Sequence, residues 1–312
     1  MFLSWLGALP GAAAQGLVWG LMAIGVYITY KILNLADLTV DGSICTGAAL
    51  CACLVTQGVN VWLAMLIALL GGMAAGALTG MFHTFMGIPA ILAGILTQLI
   101  LWSVNLKIMG KANIPLPARN YPVLVALTRI LPSLLVLLAF VVALIALLYW
   151  FFGTECGAAL RATGCNPNMS RAQGIHTFAA QILGLTLSNG IVALSGALLA
   201  QYQGFADINM GRGAIVIGLA AVVIGEAVAS RISTNFAVRL GGVVLGAVIY
   251  WFVYQTVIFL GLDSDLLKML SAIVVAVFLA VPYWKTKYFA RSKQPAGAKQ
   301  ADEEKQPVGR GK

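Results

Sequence analysis

The chain of 312 residues is 61% apolar and only 9% charged, with a formal net charge of +9, whereas an ordinary soluble domain carries about 25% charged residues. Of its charged side chains, 11 follow Pro282, eight of them basic, which leaves 18 for the first 282 residues. So few charges cannot cover a water-soluble surface, and the mean hydropathy of +0.94 agrees with an integral membrane protein. The basic residues form no stripe, which argues against nucleic-acid binding. Apolar runs recur almost to the end, so one anchor is excluded, and their continuous Leu/Ala/Val/Gly character disfavours a β-barrel.

A helix needs about 20 apolar residues to cross a bilayer. Nine candidate spans follow, at about 11–30, 40–57, 61–82, 88–106, 131–152, 176–199, 213–230, 238–260 and 266–284. The second and seventh are short and rich in Gly, Cys and Ala. The first basic residue is Lys31, on the far side of span one, which rules against a signal peptide and favours an outside N-terminus. Nine spans then place thirteen basic residues inside and six outside, a bias carried by the tail after Lys285. Residues 1–284 form one transmembrane domain, and 285–312 read as a disordered, basic, cytoplasmic tail. Cys45, Cys51 and Cys53 lie in one apolar run and read as small packing residues. Cys156 and Cys165 have neither a CxxC spacing nor a nearby histidine, so no metal site is expected. Trp19, Trp102, Trp150, Trp251 and Trp284 are expected near the two membrane interfaces.

Two segments look alike. NLADLTVDGSICTGAA at 34–49 and GFADINMGRGAIVIGLAA at 204–221 share an Ala-Asp-aliphatic step and then a glycine-rich short span. The offset is five spans, an odd number, so the two halves have inverted topology. Short, Gly-interrupted segments at matching positions of inverted halves point to a translocation path. The candidates there are Asn34, Asp37, Asp41, Gly42 and Gly47 in the first half. Asp207, Asn209, Gly213, Gly218 and Glu226 are their counterparts in the second. The competing readings are local: Asp37, Asp41 and Asp207 as helix N-caps, and Glu226 reaching the interface or pairing with Arg231. Gln98, Asn105 and Asn189 are polar within apolar runs and suit hydrogen bonds between helices. The loop 107–131 holds four basic residues and three prolines and is expected outside, as a docking surface or a rigid connector.

Between spans five and six, residues 153–175 are too polar for lipid and too patterned for a plain connector. A short helix from Glu155 to Arg161, stopped by Gly164 and Pro167, precedes a second stretch carrying Arg171. It reads as a cytoplasmic helix with Leu160 toward the protein, either gripped by another protein or simply anchored by its arginines. The stretch GAALRATG at 157–164, followed by RAQGI at 171–175, resembles the coupling loop of ABC-importer permeases of the branched-chain amino acid and ribose permease family. The segments at 16–49 and 208–228 resemble the family's corresponding parts of the two halves. The chain departs from the family in Ala36-Asp37-Leu38, Asp41-Gly42 and Gly225-Glu226, which suggests a divergent branch, one resembling permeases paired with tryptophan/tyrosine-type binding lipoproteins.

The resemblance implies an all-α, type II importer-like fold in the bacterial inner membrane, with alternating access driven from outside the chain. Glu155, Gly157, Leu160, Arg161, Ala162, Gly164, Arg171 and Gly174 are the implied ATPase-coupling residues. No P-loop exists, since Gly110-Lys111 is followed by Ala112, so ATP belongs to a separate subunit and no cofactor is expected here. The implied partners are an ATP-binding cassette ATPase, an extracytoplasmic substrate-binding protein and a second permease copy, within the lipid bilayer. An amino acid is the preferred solute. The rival from another class is an ion-coupled secondary transporter using Glu226 or Asp41; a membrane scaffold is the third reading.

Overall fold

The computed structural model describes residues 2–230 and 235–259 and a few separate helical positions between 269 and 280. The ninth span, Arg231, Trp284 and the tail lie outside the continuously described residues. The described chain is built of helices. α1 (Phe2–Tyr27) continues as a π-helical turn (Ile28–Ile32), followed by α2 (Val40–Thr56), α3 (Val61–Thr84), α4 (Ala90–Met109) and strand β1 (Asn113–Pro115). After these come α5 (Ile130–Gly153), α6 (Glu155–Cys165), α7 (Pro167–Ala172), α8 (Thr177–Gln203), strand β2 (Phe205–Asp207), α9 (Ala214–Ala229) and α10 (Phe236–Phe259).

Eight of the nine expected spans are therefore helices, and six of the helices are long and apolar enough to cross a membrane. α2 and α9 have 17 and 16 residues, ~25 Å at the helical rise and short of a ~30 Å hydrocarbon layer. α1 begins near residue 2 instead of 11 and takes Pro10 into its interior, which a membrane helix tolerates where its neighbours satisfy the freed carbonyl. Local signals set other ends. Asn60 accepts the Trp62 N–H at the start of α3, and α4 and α8 stop at Gly110 and Gly204, both left-handed.

The inverted repeat is visible in the packing. α1 and α8 open the two halves and lie antiparallel: Ser188 Oγ donates to Gly25 O, and Ser195 Oγ to Val18 O, both at 2.7 Å. Each packs chiefly against the other half, α1 on α10 and α9, and α8 on α3 and α2. Small residues allow the approach. A Cβ on Gly47 would run into the Ala193 carbonyl, and one on Gly196 into the Ile44 carbonyl, a reciprocal α2–α8 crossing of the kind that drives helix association in lipid. Gly218 sits in the same way against Met22 and Val26 of α1. The two halves share a core that includes Val18, Met22, Ile24, Val192, Leu198 and Val243. α5 joins this core along one face, through Leu137, Val141, Leu148 and Phe152, while its Leu131, Leu135, Val142 and Trp150 are turned outward.

The basic loop between α4 and α5 is anchored along much of its length. β1 pairs antiparallel with β2, with Ile114 opposite Ala206. Leu116 N donates to Gly204 O, Leu124 N to Gln201 Oε1 and Leu127 N to Tyr202 O. This hairpin-like cover ties one membrane end of the first half to the end of α8. Trp19 departs from expectation: it is only 7% exposed and packs on Trp251 with ring centroids 5.9 Å apart, because α1 is central and places Trp19 and Tyr27 in the core. Trp102 and Trp150 are exposed, as interfacial residues would be.

The substitutions G47A and G196A are expected to lower the melting temperature of the detergent-purified protein, each costing about 1–3 kcal/mol of overpacking. G241A, whose added methyl meets nothing within 4 Å, should be neutral. Equal effects at all three positions would contradict the crossing.

Candidate functional site

The two Asp steps fold alike. Asp37 Oδ1 accepts the Thr39 N–H at 2.9 Å, and Asp207 Oδ1 accepts the Asn209 N–H at 2.7 Å. Each carboxylate thus closes an Asx turn that reverses the chain before a short helix. Neither is an N-cap of its own helix, as the sequence suggested. Asn34 takes φ +54, a left-handed conformation that asparagine tolerates, and turns the chain out of the π-helix. It is exposed, as is Asn209.

Around the first turn lies a buried polar network. Asn189 Nδ2 of α8 donates to Asp37 Oδ2 at 2.7 Å, and Ser43 Oγ of α2 donates to Asn189 Oδ1 at 2.6 Å. Thr39 and Thr79 Oγ1 lie 2.7 Å apart, and Thr79 Oγ1 donates to Thr97 Oγ1 at 2.9 Å. All six side chains are buried. They fasten the broken segment 33–39 to α3, α4 and α8, and Gly94 lets the α4 backbone reach Leu38 and Thr39. Buried polar groups satisfied this completely fix one geometry.

Asp41 has the central position. It lies in the first turn of α2, yet its carboxylate serves the other half, accepting Gly213 N–H at 2.9 Å and Ile215 N–H at 3.0 Å. These are free N–H groups at the start of α9, whose own cap position, Gly213 at φ +83, has no side chain to offer. The negative charge also lies at the positive end of the α9 dipole. Cys45, one turn on, donates to Ile208 O at 3.3 Å and accepts Gly211 N–H at 3.2 Å. Cys51 accepts from Gln201 Nε2 at 3.4 Å. These cysteines are therefore polar joints as well as packing groups.

Beside this joint is a cavity of about 260 Å³ lined by Asp41, Gly42, Cys45, Gln98, Leu99, Trp102, Asn105, Ile208 and Arg212. Gly42 keeps α2 close to Gln98 and Leu101 of α4. Asn105 was expected to bond a neighbouring helix. Instead it is fully buried, and neither its amide nitrogen nor its oxygen finds a partner. Of the expected path residues, Asp41 and Gly42 line this cavity, Gly47 and Gly218 are packing contacts, and Glu226 lies elsewhere.

At the opposite end of the short α9, Glu226 Oε2 meets Lys31 Nζ at 2.9 Å, the one ion pair among the described residues. Lys31 belongs to the π-helical turn, so the pair joins the two halves where the sequence suggested Arg231. The same turn receives the polar elbow. A Cβ on Gly164 would strike the Ile32 carbonyl, and Leu160, 1% exposed, packs with Leu33 across Gly184. Gly157 fits tightly against Phe152. Thr154 and Asn166 cap α6 and α7, and Pro167 opens α7. Arg161 Nη2 donates to Phe152 O at 2.8 Å. Arg171 Nε donates to Thr177 Oγ1 at 2.8 Å while its guanidinium lies 4.7 Å from the Phe178 ring centre. Gly174, at φ +83, turns the chain into α8, and Ala162 is half-buried. The outer face, with Glu155, Arg161, Met169 and Arg171, is exposed.

A polytopic helical protein with two inverted halves, broken short helices meeting at a polar joint and an external elbow has the build of a membrane permease. The family described as branched-chain amino acid transport system / permease component matches residues 9–282, and the chain belongs to it. A tyrosine transport system permease protein of Clostridioides difficile is 40% identical, over 85% of this chain and 88% of its own. The autoinducer 2 import system permease protein LsrC of Escherichia coli is 29% identical, over 89% of this chain and 74% of its own. The fold also matches a chain of PsaBC from Streptococcus pneumoniae, with a TM-score of 0.53 at 15% identity, over 94% of this chain and all of that one. The chain is thus a multi-pass permease of the ABC transporter class.

Removing the Asp41 carboxylate, as in D41A, should cost about 1 kcal/mol at the start of α9. Amide hydrogen exchange at Gly213 and Ile215 should accelerate several-fold while that of α3 is unchanged. Unaltered exchange at both amides would show that the cap does not hold α9.

Proposed function

We propose that this permease forms the translocation path of an ATP-driven importer for an amino acid. A separate ATP-binding cassette ATPase grips the elbow α6–α7 from the cytosol, and an extracytoplasmic binding protein delivers solute at the opposite membrane end. The observation that carries this reading is the elbow itself. Its outer face is free, with Met169 58% exposed, while its inner face seats Gly164 and Leu160 on Ile32 and Leu33. Those two residues lead straight into the broken segment 33–39 and the Asp41 joint. A push on α6 would therefore reach the cavity through a few residues of rigid contact, as alternating access requires. An amino-acid solute is supported by the 40% identity to a tyrosine transport system permease.

A homodimer completes the path. α4 carries Leu92, Leu96, Leu99 and Trp102 on an exposed face, and the cavity with Asp41, Gln98 and Arg212 opens beside it. Charged and amide groups are too costly to leave against acyl chains, so a second copy covering α4 encloses a pathway between the two. The elbow, Lys31 and Glu226 share one membrane end, and the start of α1 lies at the other. With the elbow in the cytosol, the N-terminus is outside, and the tail 285–312 is taken as a cytoplasmic extension.

An ion-coupled carrier would need a carboxylate free to pick up and release a proton in each cycle. Asp41 is held by two backbone N–H groups and Glu226 by Lys31, which favours the ATP-driven reading. Replacing the exposed knob in M169D should reduce co-purification of the ATPase and ATP-dependent amino-acid uptake at least ten-fold, with an unchanged melting temperature. Uptake by the lone reconstituted chain in an ion gradient, with no ATPase bound, would overturn the proposal.

A further inference from the structure

Asn105 poses a question that the packing does not answer. It is fully buried, both ends of its amide lack partners, and it lines the cavity beside the Asp41 joint. A buried amide without partners costs stability, and a leucine there would have cost none. The same cavity holds one anionic and one cationic side chain. Asp41 has given two of its lone pairs to α9, and a carboxylate offers about four such sites. Arg212, also in the lining, is exposed and makes no ion pair among the described residues. Anion and cation thus line one space without closing on each other, and an unused amide belongs to the same lining, with Gln98.

We propose that this cavity is a transient recognition site, within the membrane, for the zwitterionic head of an α-amino acid. Arg212 takes the α-carboxylate, and Asp41 takes the α-ammonium. Asn105 completes the pattern, its oxygen accepting from the ammonium and its nitrogen donating to the carboxylate. The solute's side chain lies toward Leu99 and Trp102, the large apolar residues of the lining. At about 260 Å³ the space falls just under the ~300–1,000 Å³ of drug-sized ligand pockets, a size for one small metabolite and not for a peptide. A solute lacking either charge leaves Asp41 or Arg212 desolvated and unpaired, so discrimination arises in the permease as well as in any binding protein. The inference rests on the amino-acid importer reading and assigns the solute-contacting groups within it.

The test uses the purified full-length permease in lipid nanodiscs, without ATPase or binding protein, and radiolabelled L-tyrosine. Saturable binding is expected. Unlabelled L-leucine should compete, whereas tyramine and 4-hydroxyphenylpropionate, each lacking one charge, should compete at least ten-fold more weakly. N105L and R212Q should each weaken binding ten-fold or more. N105L should also melt at the same temperature or higher, because it removes an unsatisfied group. No saturable binding, equal competition by tyramine, or binding untouched in both variants would overturn the site. So would a lowered melting temperature of N105L, which would give Asn105 a packing role. ATP-driven amino-acid uptake persisting alongside any of these results would leave the importer reading intact, and absence of ATPase association would defeat that reading independently of the binding result.

Discussion

The carboxylate of Asp41 holds the membrane interior together. Two helices from opposite halves of the chain are too short to cross a ~30 Å hydrocarbon layer, and a free backbone N–H within such a layer has no water to turn to. α9 has only glycine at its cap position, and its first amides are satisfied by a side chain of α2. Neither half can therefore complete its broken segment alone. Cys45 reinforces the same joint through Ile208 and Gly211, and the close crossing at Gly47 and Gly196 holds α2 against α8. A permease needs a discontinuity in its helices to make room for solute; here the discontinuity is stabilised by exchange of polar groups between the halves.

The joint is linked mechanically to the membrane surface. The π-helical turn at Ile28–Ile32 carries Lys31, which pairs with Glu226 at the far end of α9. The same turn is the seat of Gly164. One five-residue element thus touches the elbow, the end of α9 and the start of the broken segment. Such π-turns often occur at functional positions, where the weaker hydrogen-bond pattern permits rearrangement. The network of Asp37, Asn189, Ser43 and the three threonines, by contrast, is fully satisfied and would move as a block.

Much of this was legible in the sequence because the features are chemical contradictions. The elbow is a polar island among apolar runs, and the repeated Ala-Asp step is costly in a membrane, so both stood out. α2 and α9 were readable as short because glycine and cysteine interrupt their apolar character. Capping across the halves was not legible: Asp41 looks like a cap for its own helix, and only the fold brings Gly213, 172 positions away, to its oxygen. Lys31 was likewise read as a topology marker and not as the partner of Glu226. Asn105 and Asn189 are equivalent in a hydropathy profile, yet one is bonded to Asp37 and Ser43 and the other faces a cavity. The burial of Trp19 was not legible because hydropathy does not show that α1 lies at the centre of the fold, where this residue packs on Trp251.

The central claim is that the elbow and the polar joint are one rigid train. Electron cryomicroscopy of the assembled transporter in nucleotide-free and ATP-bound states tests it most directly. The account predicts that α6, Ile28–Ile32 and the segment 33–39 shift together relative to α5, with Asp41 still holding the start of α9 in both states. An elbow that slides across Ile32 while the segment 33–39 stays in place would contradict it.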